Sequence, residues 1–356
     1  MSTLPPKAGP VLITAVNGYI SSNVASCFLS HGYTVIGTVR SLDRHAWLQR
    51  LFDTRYPGLF SLAELADIGD DDALESIIQA RGVVSVILTT SLIDASQTTP
   101  EPYVSKSVDI ALASLRAVSR CPAVQSVVVT SSAWAVATPH VDVREVLTAS
   151  DYNEEAIRLS YDDVVTDPTY RGFLIVMAAN VKKEKAMWDF VRETKPSWRF
   201  NTLLVDTVFG NIVSVADQGF PSTASLLNGP EAARVASFYL TPQWFVDVQD
   251  VAKLHVAAAT RTDISSERIF AYGQRFTWKA ITAILQNCRP EAEWTTGINE
   301  NEGECLVEVP NERGAGILRS MGQAQGWTDL KMLVRNTVLD HKFVEQDPAQ
   351  VFVHKW

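Results

Sequence analysis

Two polar side chains that can move a proton stand at the ends of two predicted strands. Ser132 lies in the run "SVVVTSSA", and its hydroxyl can both donate and accept a hydrogen bond. Asp206 lies in the run "RFNTLLVDTVFG". Apolar walls at Val176, Val205 and Trp134 would remove solvent from this carboxylate. Loss of solvation raises a carboxyl pKa, so Asp206 is a candidate acid or base. The alternative is that Asp206 caps a loop or pairs with an arginine.

A second group of residues could hold a phosphorylated cofactor. In "ITAVNGYISSNVASCFLSHGY", Ala15, Gly18 and Ser21 occupy the spacing of a glycine-rich phosphate loop. The second strand ends in "GTVRSLDR", where Arg40 and Arg44 suit the 2′-phosphate of NADP, whereas NAD calls for an acidic residue. The predicted cofactor is therefore NADP, bound weakly or lost because a Cβ at Ala15 crowds the turn. An ordinary tight turn and solvated arginines are the alternatives.

Further residues extend both predicted sites. Asp67 follows a third strand in "LADIGDDDAL", where it would meet an adenine edge. The predicted cofactor contacts are Thr14, Asn17, Gly18, Tyr19, Ile20, Arg40, Arg44, Asp67, Ile68 and Thr89. The predicted substrate pocket is formed by Ser91, Trp134, Val176 and Val205. The four cysteines lie far apart without metal-ligand spacing, so we expect reduced thiols and no metal site.

The elements that would position these residues alternate along the first two hundred residues. Near-continuous apolar runs, typical of parallel strands buried on both faces, cover 11–16, 33–40, 83–90, 126–133 and 199–210. Helical patterns lie between them at 18–31, 71–79, 103–119 and 178–193. This order predicts an α/β fold with a doubly wound parallel sheet of the Rossmann type over residues 1–210. Residues 211–356 are predicted to form mainly a smaller substrate-capping domain, with 243–260 returning to the first domain.

Composition limits the partners. The chain has 356 residues, 46% hydrophobic and 20% charged, as expected for a globular protein with a full core. Its net charge of −9 argues against nucleic acid or an anionic membrane as a partner. Apolar runs such as "VVSVILTTSLI" stop short of the roughly 20 residues of a membrane helix, and "MSTLPPKAGP" lacks a signal-peptide pattern. We expect a cytoplasmic monomer or homodimer.

The motifs, taken in order, resemble one family. "VLITAVNGYI", "GTVRS", "VVVTSSA", "EKAMWDFV", "FNTLLVDTVFGN" and "QWFVDVQDVAKLHVAA" are similar to the motifs of extended short-chain dehydrogenases/reductases. Within them, the resemblance is to fungal aldehyde and ketone reductases, relatives of plant dihydroflavonol reductases. It implies NADPH binding and carbonyl reduction by a Ser, a Tyr and a Lys. Ser132 matches the family's Ser in "TSSA".

The chain departs from this family pattern at four places. Aligning "EKAMW" with the family's Glu-Lys-Ala-x-Trp puts the Tyr place at Val176 and the Lys place at Asn180. The family's Pro-Asn after the next strand is Val205-Asp206, and Ala15 replaces the first glycine. Valine cannot donate a proton, and asparagine cannot lower a phenol's pKa by charge.

Three interpretations of these departures remain open. A shifted register could use Tyr161 or Tyr170 with Lys182 or Lys183, although Tyr170 and Lys182 are twelve residues apart and cannot stack on adjacent helical turns. A second interpretation is a non-catalytic NADP-sensing module. The third is a pocket reused for a step that needs no hydride transfer.

The favoured interpretation is the reused pocket. It predicts a repurposed reductase-fold enzyme that catalyses a non-redox step on a hydrophobic small molecule in fungal secondary metabolism. The step would be a cyclisation, isomerisation, dehydration or shape-controlled pericyclic reaction, with Ser132, Asp206 and Asn180 as the candidate catalytic residues. An NADPH-dependent carbonyl reductase with an unusual proton donor is the main alternative.

Overall fold

A seven-stranded parallel sheet forms the centre of the molecule. The computed structural model describes residues 9–90 and 92–340. The strands of this sheet are β1 (Val11–Ile13), β2 (Val35–Val39), β3 (Phe60–Glu64), β4 (Ser85–Leu88), β5 (Ser126–Ser132), β6 (Arg199–Val205) and β9 (Glu267–Ala271). They lie in the order β3-β2-β1-β4-β5-β6-β9, and every neighbouring pair is parallel. The predicted doubly wound Rossmann-type sheet is confirmed.

The strand order creates a crevice at one point of the sheet. From β1 the chain adds β2 and β3 on one side, then crosses back to add β4 on the other. Open α/β sheets bind ligands outside the carboxyl ends of the strands where the order reverses in this way. All residues of β1, β2 and β4 are buried, as the apolar runs predicted for strands covered on both faces. The end of the sheet above β1 and β4 is therefore the expected ligand-binding edge.

Helices cover both faces of this sheet. They are α1 (Tyr19–Ser30), α2 (Leu42–Arg55), α3 (Asp71–Ala80), α4 (Tyr103–Ser119), α5 (Glu154–Ser160), α6 (Pro168–Thr194), α7 (Val215–Gln218), α8 (Pro230–Tyr239), α9 (Val248–Thr260), α10 (Trp278–Cys288), α11 (Glu312–Ser320) and α12 (Leu330–Asp340). One face packs against α1, α2, α9 and α11. The other packs against α3, α4 and α6.

The long helix α6 begins earlier than the sequence pattern indicated. The pattern predicts a helix over 178–193, whereas the helix starts at Pro168. Its start is set by local chemistry, because Asp167 caps a first-turn N–H and proline is favoured at the first helical position. A Cβ at Gly172 would lie 1.8 Å from the carbonyl oxygen of Ala95. Only glycine therefore lets the segment after β4 lie directly on α6.

A second unit follows the main sheet along the chain. The strands β7 (Thr207–Phe209), β8 (Trp244–Asp247) and β10 (Gln274–Arg275) form a small sheet in the order β10-β8-β7. The helices α8, α10 and α12 pack together in a separate apolar cluster. Within the described ranges, none of the helices has the length and apolarity needed to cross a membrane.

More of the second half of the chain belongs to the main sheet than the predicted domain boundaries indicate. Helix α9 packs with α1 in the same apolar cluster as β1. Strand β9 joins the sheet beside β6, although the boundaries had left residues 267–271 in the capping domain. The reason is that β9 returns from the small unit to complete the edge of the sheet. Residues 267–271 are therefore part of the main sheet.

Candidate active site

Ser132 and Asp206 lie at the carboxyl ends of neighbouring strands. Strands β5 and β6 pair along their full length, with Ser132 opposite Val205 and Asp206 one residue further. The Ser132 hydroxyl oxygen accepts a hydrogen bond from the backbone N–H of Trp134 at 3.1 Å, which begins a short 3₁₀ turn. Ser132 stays partly exposed. Its hydroxyl proton therefore remains available for a ligand at this edge.

Asp206 has the electrostatics of an acid or base. Burial raises the pKa of its carboxyl group to about 7, although hydrogen bonds from Thr207 oppose this shift. The backbone N–H of Thr207 donates to the carboxylate at 2.7 Å. Among the described residues, no arginine or lysine forms an ion pair with it. The neighbours of Asp206 include Tyr272 and Cys305, which the sequence did not predict. Burial is the main cause that raises the pKa of these two side chains, and the nearby Asp206 charge raises it further.

Val176 occupies an apolar environment on α6. It has no exposed surface and packs in a cluster with Tyr103, Ile175 and Ala179, against which Trp134 also lies. Trp134 is partly exposed, and its ring packs edge-on against the ring of Phe173, one turn before Val176 on α6. No group that can donate a proton is present at position 176. The cluster instead forms a hydrophobic wall beside the strand ends.

Asn180 uses its amide within α6. Its amide nitrogen donates to the carbonyl oxygen of Val176 at 3.0 Å. Its amide oxygen accepts from the Lys183 ammonium at 3.1 Å. The side chain therefore holds a neighbouring lysine in place.

The phenols near α6 are not activated. Tyr103, in the cluster with Val176, donates to the Leu92 carbonyl oxygen at 2.7 Å, and burial raises its pKa to about 12. Tyr161 keeps an exposed side chain and donates to the Glu101 carboxylate. Partial burial, and then the charge of Glu101, raise its pKa to about 12. Tyr170 is also exposed at the start of α6. A phenol with a raised pKa is a poorer acid, so these side chains offer no replacement donor.

A buried ion pair fixes the register of α6. Glu184 is 1% exposed and accepts from the hydroxyls of Ser131 at 2.8 Å and Thr202 at 2.9 Å. It also accepts from the Arg268 guanidinium at 2.8 Å. These contacts join α6 to β5, β6 and β9. Residues four apart share a helix face, so positions 176 and 180 lie on the same side of α6 as this anchor. A shifted register would leave both charges buried and unpaired.

Lys183 is the functional candidate that the sequence reasoning missed. The sequence alone suggests it only as a partner for an upstream tyrosine. It is 7% exposed, and burial lowers its pKa to about 8 while Glu184 opposes the shift. It lines a cavity of about 30 Å³ whose other polar walls are Thr14, Thr90, Ser107 and Ser114. The sequence does contain a signal for the burial of Lys183. Its position continues the helical spacing of one buried face, which runs through Val176, Asn180, Lys183 and Met187.

The turn before α1, which is predicted to meet the phosphates, has a left-handed backbone at one residue. Gly18 precedes α1, and no side chain caps the first turn of this helix, so its first backbone N–H groups can donate to an anion. Ala15 adopts φ +46°, in the left-handed region that favours glycine. The Thr38 hydroxyl accepts from the Ala15 N–H at 3.2 Å, and the Ser21 hydroxyl donates to its carbonyl at 2.6 Å. The turn therefore keeps its shape with alanine in place of glycine.

The side chains next to this turn mostly face the protein. The Tyr19 hydroxyl donates to the Gly210 carbonyl at 3.0 Å, and Ile20 packs against the core. The carbonyl of Asn17 accepts from the Gln218 amide at 3.0 Å. These residues can therefore meet a cofactor through their backbone, with little contribution from their side chains.

The arginines and threonines of the predicted cofactor site lie along the ligand-binding edge. Arg40 and Arg44 are exposed, and within the described chain neither forms an ion pair. The hydroxyl of Thr14 accepts from the N–H of Thr89 at 3.0 Å and from the hydroxyl of Thr90 at 3.1 Å. The ends of β1 and β4 are thus joined by hydroxyl groups beneath the crevice.

The adenine side and the pocket residue after β4 complete the predicted set. Asp67 is exposed, and its carboxylate accepts from the Gly69 N–H at 2.9 Å. Ile68 packs partly against the core. Ser91 lies outside the described residues. An uncapped helix start, two exposed arginines and an acidic residue beyond β3 together fit a dinucleotide that carries a 2′-phosphate.

Comparisons with known proteins agree with this geometry. The model of the NAD dependent epimerase/dehydratase family matches residues 11–156. The ketoreductase adrE of Penicillium rubens is 30% identical over 92% of this chain and 95% of its own length. Aldehyde reductase 2 of Sporidiobolus salmonicolor is 27% identical over 94% of this chain and 96% of its own. The yeast methylglyoxal/isovaleraldehyde reductase Gre2, solved with NADPH, superposes with a TM-score of 0.74 at 20% identity, covering 93% and 97% of the two chains.

These matches define the class of the protein. The chain belongs to the NAD-dependent epimerase/dehydratase family, within the extended short-chain dehydrogenases/reductases. The relatives named above are reductases, and their chains match this one along nearly its whole length.

Proposed function

We propose that this chain binds NADP(H) and catalyses a non-redox step on a hydrophobic small molecule of fungal secondary metabolism. The reductase Gre2, which has the same fold, is described with NADPH, and one relative is a Penicillium ketoreductase. The reaction would be a cyclisation, isomerisation, dehydration or pericyclic step. This proposal keeps the family's cofactor site and changes the chemistry performed beside it.

The side chain at position 176 carries the proposal. A reductase must protonate the alkoxide that forms as hydride reaches a carbonyl, and the family places a tyrosine there for that purpose. In our alignment this place is Val176, which is fully buried among apolar side chains. The family's lysine place is Asn180, whose amide is bonded within its own helix. Of the family's three catalytic side chains, Ser132 alone keeps its residue type.

The remaining groups suit moving a proton within a substrate. With a pKa of about 7, Asp206 is present in both protonation states near neutral pH, so it can take a proton from carbon and return it elsewhere. The Ser132 hydroxyl can stabilise a carbonyl oxygen during that transfer. Trp134, which is partly exposed, provides an apolar surface against which a flat substrate can pack, and Val176 supports it from within the buried cluster. An isomerisation or dehydration of this kind needs no hydride.

The cofactor would be held by residues on the other side of the crevice. Arg40 and Arg44 are placed for the 2′-phosphate and Asp67 for the adenine edge. The open first turn of α1 is placed for the diphosphate. Bound NADP would supply a nicotinamide ring, able in principle to accept or donate hydride, as one wall of the pocket.

One observation favours a second candidate, a carbonyl reductase with an unusual donor. A carboxyl group with a pKa of about 7 can itself donate a proton, and Asp206 lies one strand away from Ser132. In this case Asp206 would replace the tyrosine.

The test combines binding and turnover. NADPH oxidation is measured spectroscopically with methylglyoxal and isovaleraldehyde, and the yeast reductase is the positive control. General acid catalysis is worth about 10²–10⁴-fold, and enzymes typically turn over about ten times per second, so we expect rates below about 0.1 per second. Turnover of about 1–10 per second would contradict the non-redox proposal. If Asp206→Asn then abolishes it, the second candidate is correct.

A further inference from the structure

A buried ammonium lies in a cavity beneath the crevice of the sheet. Lys183 projects from α6 and is 7% exposed. Its ammonium donates to the Asn180 amide oxygen at 3.1 Å. The cavity of about 30 Å³ beside it is also lined by Thr14, just after β1, and by Thr90, just after β4. Ser107 of α4 adds a further hydroxyl. Four elements of the chain thus bring polar groups to one lysine.

The position of this cavity matters more than its size. Strands β1 and β4 are the neighbours between which the strand order reverses. Ligands of doubly wound sheets bind just outside the carboxyl ends of these strands. The hydroxyls of Thr14 and Thr90, which are bonded to each other at 3.1 Å, line the cavity at this end. Lys183 therefore lines a cavity that reaches the residues at the ligand-binding edge.

The two ends of a bound dinucleotide can be assigned from the same geometry. Arg40 and Asp67 follow β2 and β3, on one side of β1, and are placed for the adenosine half. The other half must then extend over β1, β4 and β5, towards Ser132. This direction passes above the cavity that contains Lys183.

A charge buried at this place calls for an explanation beyond packing. Burying an ammonium is unfavourable unless ligands or polar groups compensate for its lost solvation. Burial is the main cause that lowers its pKa to about 8, and the Asn180 amide oxygen is one of its partners within the chain. A cavity of this volume has room for about two water molecules. A polar ligand at the carboxyl ends of β1 and β4 would add hydrogen-bonding groups above this cavity.

We infer that Lys183 is a positioning residue for the nicotinamide half of the dinucleotide, and that Asn180 holds its ammonium beneath the ribose hydroxyls of that half. The positive charge that the family's lysine would supply from position 180 is then supplied from one helical turn further along α6. This inference rests on the NADP binding of the proposed function.

The test separates the two halves of the cofactor. Titration calorimetry measures the binding of NADP⁺ and of adenosine 2′,5′-bisphosphate, which lacks the nicotinamide half, to the wild type and to Lys183→Met. Hydrogen bonds to a charged group are worth enough for a loss of about 10- to 100-fold in affinity. We expect that loss for NADP⁺ and no change for the bisphosphate. The matched control is Lys182→Met, which removes the adjacent, partly exposed lysine and should change neither affinity.

A second variant addresses a structural role for the lysine. Asn180→Lys with Lys183→Met keeps one ammonium on the same face of α6, so its affinity for NADP⁺ should be nearer to that of the wild type than to that of Lys183→Met. This comparison also serves if Lys183→Met alone does not fold. Equal losses for both ligands, or unchanged NADP⁺ binding by Lys183→Met, would overturn the inference and leave the proposed function intact. A wild type that binds neither ligand would refute both.

Discussion

Rebuilding the family's catalytic pair on α6 requires a change at a third position. Val176→Tyr with Asn180→Lys would place a phenol and an ammonium one helical turn apart on one face. The new lysine, however, would also lie beside Lys183, whose ammonium is 3.1 Å from the present amide oxygen. We expect this double variant to be less stable than the wild type and to reduce carbonyls poorly. Adding Lys183→Met should restore much of the stability and give weak reductase activity.

The size of the effect follows from the burial of both sites. Two ammonium groups about 4 Å apart repel by about 4 kcal/mol at an effective dielectric constant of about 20. Releasing the Lys183 proton at pH 7 costs less, about 1.4 kcal/mol, because its pKa is only about 8. The variant should therefore lose this charge. A tyrosine at fully buried Val176 adds about 1–3 kcal/mol of overpacking. Together these costs amount to about 2–4 kcal/mol, which a stability of about 5–15 kcal/mol can absorb.

Urea unfolding and NADPH oxidation measure the two consequences. The free energy of unfolding is compared among the wild type, the double variant and the triple variant, and methylglyoxal is the carbonyl substrate. A double variant that equals the wild type in stability and already reduces methylglyoxal would refute the placement of Lys183. A folded triple variant that binds NADPH and reduces nothing would show that the pocket differs from the family's beyond these three positions.

Three further predictions concern the cofactor, the buried amine and the ion pair. Arg40→Ser with Arg44→Ser should lower NADP⁺ affinity about 10- to 100-fold in calorimetry and leave NAD⁺ affinity unchanged, and equal wild-type affinities for the two would contradict the assignment. Because the pKa of Lys183 is lowered from 10.5 to about 8, its charge destabilises the fold below pH 8, and this penalty is relieved as the pH rises towards 10.5. The stability advantage of Lys183→Met over the wild type should thus shrink by about 3 kcal/mol over this window in urea unfolding, and a constant difference would refute the burial. Glu184→Gln should cost about 3–5 kcal/mol because it leaves a buried arginine unpaired, whereas Glu231→Gln, in an exposed pair, should cost less than about 1 kcal/mol.

Much of the fold could be predicted because parallel strands buried on both faces leave unbroken apolar runs. Such runs located β1, β2, β4, β5 and β6 to within a few residues. Strand β9 was missed because "ERIFA" begins with two charged residues that use their side chains in ion pairs with other elements. Its pairing with β6 is a long-range contact that no local pattern contains. Asp167 and Pro168 indicate the early start of α6. The polar residues that follow them interrupt the apolar pattern by which the helix was located.

The candidate site was only partly predictable for a related reason. Ser132 and Asp206 could be placed together because the carboxyl ends of neighbouring parallel strands meet at one edge. The inward turn of Lys183 depends on space left by Ala111 and Ser114 of α4, which line the same cavity. Whether a lysine on a helix reaches water or a cavity is decided by such packing between elements.

Transfer of deuterium from NADPH tests the central claim most directly. The purified protein would be incubated with NADPH deuterated at C4 on either face, together with methylglyoxal and isovaleraldehyde, and the products would be analysed by mass spectrometry after a single turnover. The side chains at positions 176 and 180 predict no deuterium in either alcohol product, while NADP⁺ binds in a parallel titration. Deuterium appearing in an alcohol at about 1 per second or faster would show that the chain is a working reductase and that its proton donor lies elsewhere.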